Sequence, residues 1–159
     1  MGDSGKIKLT LLLRKMIGNY KNKLDDKGRI IIPSKFRSEL GDFIVISYGF
    51  DNTLEIRTSE SFSKWSQTLS KKGNLSSNSR ELSRIILGNS FEVTIDKSGR
   101  ALLPKQLTDL IKLTKDVMLI GIGDKIEVHP AKQWGDITSN PEEMTKNLEK
   151  MAEELSKSE

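Results

Sequence analysis

One pattern of turn-forming and apolar residues occurs twice in this chain, and any fold must accommodate both copies. The first runs Leu24-Asp25-Asp26-Lys27-Gly28-Arg29-Ile30-Ile31-Ile32-Pro33-Ser34-Lys35-Phe36. The second runs Ile95-Asp96-Lys97-Ser98-Gly99-Arg100-Ala101-Leu102-Leu103-Pro104-Lys105-Gln106-Leu107. Asp25 and Asp96, Gly28 and Gly99, Arg29 and Arg100, Pro33 and Pro104 all correspond at a shift of 71. An internal repeat constrains architecture more than any composition statistic does.

Each copy spells out its local structure. Before Asp25 the chain alternates, with Tyr20, Asn22 and Leu24 on one face and Lys21, Lys23 and Asp25 on the other, which is strand periodicity. In Asp-x-x-Gly the carboxylate can accept from amides just ahead of it, and Gly supplies the positive φ of a tight turn. Ile30-Ile31-Ile32 suits a second, more buried strand. Pro33 fits the first turn of a short helix. Each copy therefore predicts strand, turn, strand, short helix, with the Arg just past the turn.

The copies also continue alike. Asp42–Ser47 and Leu54-Glu55-Ile56-Arg57 follow the first; Asp116–Gly121 and Ile126-Glu127-Val128-His129 follow the second. The later strand repeats at a shift of 72, implying one residue inserted after the motif. Both continuations predict a hairpin and then a segment with a Trp, Trp65 or Trp134. A single copy cannot bury both faces of such apolar strands. Two copies can share one core around a pseudo-twofold axis.

Composition narrows the function classes. No cysteine is present, which removes disulfides and thiolate metal sites, and one histidine cannot build a multi-histidine metal cluster. His129, just before Pro130, reads as a surface or edge-strand residue. No apolar run approaches the roughly 20 residues that span a bilayer. Nothing assembles a nucleophile, base or phosphate-cradling loop, so the expectation is a non-enzyme without metal, cofactor or small-molecule substrate. The formal charge is +4, and it is unevenly spread: residues 1–15 carry +3, 16–140 carry +4 and 141–159 carry −3. Its placement matters more than its total.

Taken in order, residues 1–15 read as a leader extraneous to the fold or a mis-called start. The first repeat spans 17–66. In its last part Phe62, Trp65 and Leu69 form one helical stripe, with Ser59 as a plausible N-cap. That spacing favours helical core over a base-stacking platform. Residues 71–89 read as linker and connecting helix, the polar 71–79 stretch preceding Leu82, Ile85 and Ile86, with Arg80 and Arg84 on a solvated face. The second repeat spans 91–134. Residues 141–156 predict an amphipathic helix begun at Asn140-Pro141 and striped by Met144, Leu148, Met151 and Leu155, fit to pack on the core or on a neighbouring subunit.

The doubled Asp-x-x-Gly-Arg-x-x-x-Pro pattern, the Ile17-Gly18-Asn19-Tyr20 opening and the Leu54-Glu55-Ile56-Arg57 strand resemble the MraZ family of bacterial transcriptional regulators, a tandem branch of the SpoVT/AbrB superfamily. The resemblance covers about residues 16–135. It implies an α+β fold in which two SpoVT/AbrB-like swapped-hairpin repeats interleave in a pseudo-twofold β-barrel core flanked by short helices. It also implies a cytoplasmic, nucleoid-associated regulator that binds repeated short boxes of double-stranded DNA in the promoter of the division and cell-wall gene cluster. A ring-shaped homo-oligomer, an octamer, is implied too. The alternatives are a non-catalytic structural oligomer and an antitoxin-like regulator of the same superfamily.

Within that frame Arg29 and Arg100 are the candidate DNA contacts, because guanidinium matches phosphate or the guanine major-groove edge bidentately. Asp25 and Asp96, with Gly28 and Gly99, shape the turns and orient the arginines. Lys21, Lys23 and Lys27 flank the first turn and Lys97 the second, where Glu92 and Thr94 replace Lys21 and Lys23. The first repeat is therefore expected to contribute more affinity.

Overall fold

The computed structural model describes residues 16–73 and 76–158, so the leader lies outside the described residues. The order of elements is β1 (Met16–Lys23), β2 (Arg29–Ile31), α1 (Ser34–Leu40), β3 (Phe43–Tyr48), β4 (Leu54–Thr58), α2 (Ser59–Gly73) and α3 (Ser77–Gly88). Then follow β5 (Ser90–Thr94), β6 (Arg100–Leu102), α4 (Lys105–Leu110), β7 (Asp116–Gly123), β8 (Ile126–Pro130), α5 (Ala131–Thr138) and α6 (Pro141–Lys157). The sequence of elements β-β-α-β-β thus occurs twice, as the duplicated pattern requires.

The copies are joined by exchange of strands. Six strands form an antiparallel sheet in the order β1-β7-β8-β4-β3-β5, and β2 and β6 form a separate two-stranded ribbon. The first strand of each copy pairs with the other copy: β1 with β7 from Met16↔Gly123 to Lys23↔Asp116, and β5 with β3 from Phe43↔Thr94 to Ser47↔Ser90. The register is symmetric at two places. Ile30 faces Ala101 at the centre of the ribbon, and Glu55 faces Glu127 at the centre of the β4–β8 pair. A closed barrel is not formed among the described residues. The large sheet ends at β1 and β5, because β2 and β6 leave it to pair with each other.

One core fills the space between sheet and ribbon. Ile44, Ile46, Leu54, Ile56, Leu119, Ile126 and Val128 come from the sheet, Ile30 and Ala101 from the ribbon, and Phe36, Leu40 and Leu107 from α1 and α4. The alternation in β3 and β4 sends every second residue to the other face, where α2, α3 and α5 lie. There Trp65 of α2 covers the Arg57 guanidinium at 5.1 Å, so the aromatic stripe of this helix packs on the protein as its spacing indicated. Arg57 in turn pairs with buried Glu55 at 2.6 Å, and Lys125 closes on the same carboxylate at 2.6 Å.

Several expectations shift in detail. The strand register makes Phe43 and Asp116 equivalent, a shift of 73, so two residues rather than one are inserted before β7. The β7–β8 connection is then one residue shorter than the β3–β4 connection. His129 is 5% exposed on the interior strand β8, not at a surface or edge. It bonds Glu127 at 2.9 Å and meets the Trp134 ring edge-on. The residue that caps α2 is Thr58, whose hydroxyl accepts from the Ser61 amide, rather than Ser59. Helix α2 also runs on to Gly73, into what composition alone reads as linker. Helix α6 starts as expected, with the Asn140 side chain accepting from the Glu143 amide. Its stripe lies open, Leu148 at 65% and Leu155 at 70% exposure, so it does not pack on this protomer's core.

Candidate nucleic-acid interface

Both Gly-Arg turns are built by the same set of bonds. Asp25 Oδ1 accepts from the amides of Lys27 and Arg29, each at 2.9 Å, while Oδ2 accepts from Arg29 Nε at 2.7 Å. Asp96 Oδ1 accepts from the amides of Ser98 and Arg100, each at 2.9 Å, and Oδ2 accepts from Arg100 Nε at 2.9 Å. Main-chain bonds close each loop, with Gly28 N donating to Asp25 O and Gly99 N to Asp96 O. Gly28 and Gly99 sit at φ 81 and 82, where an L side chain would be strained.

These bonds set the charge state of the aspartates. The Arg29 amide holds the Asp25 carboxyl below its ordinary 3.8, and the Arg29 side chain and Lys27 amide act in the same direction against a partial loss of solvent. The Arg100 amide does the same for Asp96, helped by the Arg100 side chain and the Ser98 amide. Both carboxylates are therefore ionised at neutral pH.

The turns are also tied to each other. Ile32 N donates to Gly99 O at 2.8 Å, and Leu103 N donates to Gly28 O at 3.0 Å. Between these bonds the ribbon pairs Arg29 with Leu102 and Ile31 with Arg100. Side chains alternate across a strand, so Arg29, Ile31, Arg100 and Leu102 share one face. That face is outward: Ile31 is 55% and Leu102 51% exposed, while Ile30 and Ala101 are fully buried on the other. Arg29 and Arg100 are diagonal neighbours on it, which places their Cα atoms about 7–8 Å apart. Each is anchored through Nε, and their terminal NH2 groups have no bonded partner among the described residues.

The flanking lysines are placed less uniformly. Lys27 and Lys97 are exposed within the turns themselves. Lys21 and Lys23 stand on β1, where with Lys132 and Trp134 they line a groove of about 810 Å³ between the β1–β7 edge and α5. They are beside the first turn in sequence but belong to this groove wall rather than to the ribbon face. Reading the sequence alone assigns no role to Arg37 of α1. Its guanidinium lies against Gly99 of the opposite repeat's turn, where a Cβ would sit 2.6 Å from Arg37 Cζ. The signal available in the sequence is the break in the repeat: 71 residues on from Arg37 stands Thr108.

The duplication matches a known protein family. The family described as "MraZ protein, putative antitoxin-like" matches this chain twice, at residues 16–85 and 86–155. The chain belongs to the MraZ family. A Mycoplasma mobile protein named transcriptional regulator MraZ is 40% identical over 140 residues, covering 88% of this chain and 95% of its own. A Halothermothrix orenii protein of the same name is 37% identical over 139 residues, covering 87% and 97%. Among solved structures, a solution structure of PHS018 from Pyrococcus horikoshii is 20% identical and covers 71% of this chain and 87% of its own, with a TM-score of 0.29, too low to bear on the fold.

Proposed function

We propose that this MraZ-family chain is a non-catalytic transcriptional regulator that binds double-stranded promoter DNA with the outward face of the β2–β6 ribbon. The observation that carries the reading is the pair of Asp-anchored arginines, Arg29 and Arg100, side by side on one exposed face with free NH2 donors. The major groove admits a two-stranded ribbon, and guanidinium donates bidentately to guanine O6 and N7 or to phosphate. Asp25 and Asp96 do not touch DNA in this reading. They fix each Arg through Nε and leave its fork pointing outward. Lys27 and Lys97 add phosphate contacts at the turns, and Lys21 and Lys23 extend the basic surface along β1.

A single ribbon neutralises few phosphates, and affinity follows phosphate number steeply at a given salt. The regulator therefore works as a ring-shaped homo-oligomer, an octamer by family likeness, whose ribbons engage repeated short boxes in the promoter of the division and cell-wall gene cluster. Engaging several boxes at once raises avidity through effective concentration. Its setting is the cytoplasm, on the nucleoid. The names of the relatives support the regulatory role, and the swapped-hairpin description of the fold agrees with the β1–β7 and β5–β3 pairings.

The test is a fluorescence-anisotropy titration of labelled DNA from upstream of the chain's own gene, at two salt concentrations and against a shuffled duplex. Preferential, salt-sensitive binding is expected. Equal, weak binding to both duplexes would leave a structural oligomer as the better account.

A further inference from the structure

We propose that Arg37 is a third DNA-contacting arginine, which reaches from the first repeat to the second repeat's turn and adds a phosphate contact there. This rests on the DNA-binding reading above and adds to it a residue outside the duplicated Gly-Arg motif.

The charge around the two turns is arranged differently. On the strands leading in, Lys21 and Lys23 are matched by Glu92 and Thr94, while within the turns Asp26 and Lys27 are matched by Lys97 and Ser98. Arg37 brings a further cation to the second turn from the other repeat. Its helix is short and fixed, because Pro33 O accepts from the amides of Phe36 and Arg37, and Phe36 and Leu40 are buried in the core. The side chain that leaves this helix next to Phe36 ends over Gly99, one residue before Arg100. A Cβ at position 99 would push this guanidinium away from the turn.

The polar groups of Arg37 are not used by the protein. Its Nε is enclosed and has no hydrogen-bond partner, and its guanidinium makes no ion pair among the described residues. A half-buried cation without a carboxylate partner opposes stability. An anion at the turn face would pair with its terminal nitrogens. Phosphate is the anion that the ribbon reading already brings there, and guanidinium suits it geometrically.

The first turn has no equivalent. Thr108 holds the matching place in α4, where Pro104 O accepts from the amides of Leu107 and Thr108 in the same pattern. Around Gly28 the nearest atoms to a built Cβ are Leu103 O at 3.8 Å and Leu102 Cδ1 at 3.9 Å, so that side is open. The asymmetry makes a gain-of-function test possible.

Anisotropy titrations of the full-length protein on its own upstream DNA, across a salt series, would compare wild type, Arg29→Ala, Arg37→Ala, Arg37→Lys and Thr108→Arg. Arg37→Ala should bind about tenfold more weakly, with a log–log salt slope shallower by about 1, as for one lost phosphate. Arg37→Lys should retain most of the slope, and Thr108→Arg should steepen it by about 1. If Arg29→Ala weakens binding while Arg37→Ala keeps wild-type affinity and slope, Arg37 only packs against the turn and this proposal fails alone. A loss of affinity with an unchanged slope also overturns it. If wild type shows no preference for the DNA, the underlying reading fails too. Should Arg37→Ala not fold, the Thr108→Arg slope decides.

Discussion

The two Gly-Arg turns share a scaffold and differ in decoration. Five bonds recur at matching atoms: two amides on Asp Oδ1, the Arg Nε on Oδ2, and the two main-chain closures. Around them almost every charge differs. Lys27 faces outward in one turn and Ser98 stands at its place in the other, and Lys21 and Lys23 are matched by Glu92 and Thr94. Within this chain, the geometry that presents an arginine is kept in both halves, while the charge that tunes the surface diverges. A duplicated chain can do this and a homodimer cannot, because its two halves are free to differ.

The largest expected effect lies beneath the turns, where the symmetry is broken by size. Ile30 and Ala101 meet at the ribbon centre, both fully buried, one large and one small. Ile30→Ala should cost about 2–5 kcal/mol through the cavity it leaves. Ala101→Ile should cost about 1–3 kcal/mol by overfilling the same space. Denaturant midpoints measure both. If Ala101→Ile were neutral, the axis would not be close-packed and the two halves would be less tightly coupled than described.

Next comes the shared scaffold. Asp25→Ala should lower both the melting temperature and DNA affinity, since it removes three bonds at once; Asp96→Ala should do the same at the second turn. Calorimetry alongside anisotropy reads the two effects. A variant that binds normally would separate the turn from the arginine it anchors.

Acid should act on both turns alike. Each Asp is held below 3.8 in the folded protein, so its contribution is complete above 3.8 and is lost as pH falls through the lower folded value. Following the carboxyl carbons of Asp25 and Asp96 by NMR from pH 5 downward should give midpoints beneath 3.8 for both. A midpoint at or above 3.8 in one turn would break their equivalence.

The smallest change tests the decoration. Glu92→Lys with Thr94→Lys copies the first repeat's charge onto the second. Melting should be nearly unchanged, because both positions lie on the edge strand β5 and neither is buried. The salt slope should steepen by roughly 1–2 if the lysines reach phosphates. An unaltered slope would place these β-strand positions, and by symmetry Lys21 and Lys23, away from the DNA.

Much of this was legible in the sequence because repeats and turn chemistry are local. Asp25, Gly28 and Pro33 announce strand, turn and helix start, and their recurrence announces the second half. The stripe of Phe62, Trp65 and Leu69 likewise gave helix α2. What escaped depends on contacts distant in sequence. His129 reads as edge because Pro130 follows it, yet β8 lies between β7 and β4, where its neighbours enclose it. Sheet closure could not be read from periodicity, which does not say that β2 and β6 pair with each other. The reach of Arg37 to Gly99 joins residues of different repeats, and only the mismatch with Thr108 hinted at it.

The central claim is that Arg29 and Arg100 act together from one surface on duplex DNA. Its most direct test is an anisotropy titration of upstream DNA with Arg29→Ala, Arg100→Ala and the double variant, each checked for melting temperature and oligomer mass. Each single change is expected to weaken specific binding by about 1–3 kcal/mol, roughly five- to 150-fold, with stability and assembly unchanged. Wild-type affinity in the double variant would contradict the account.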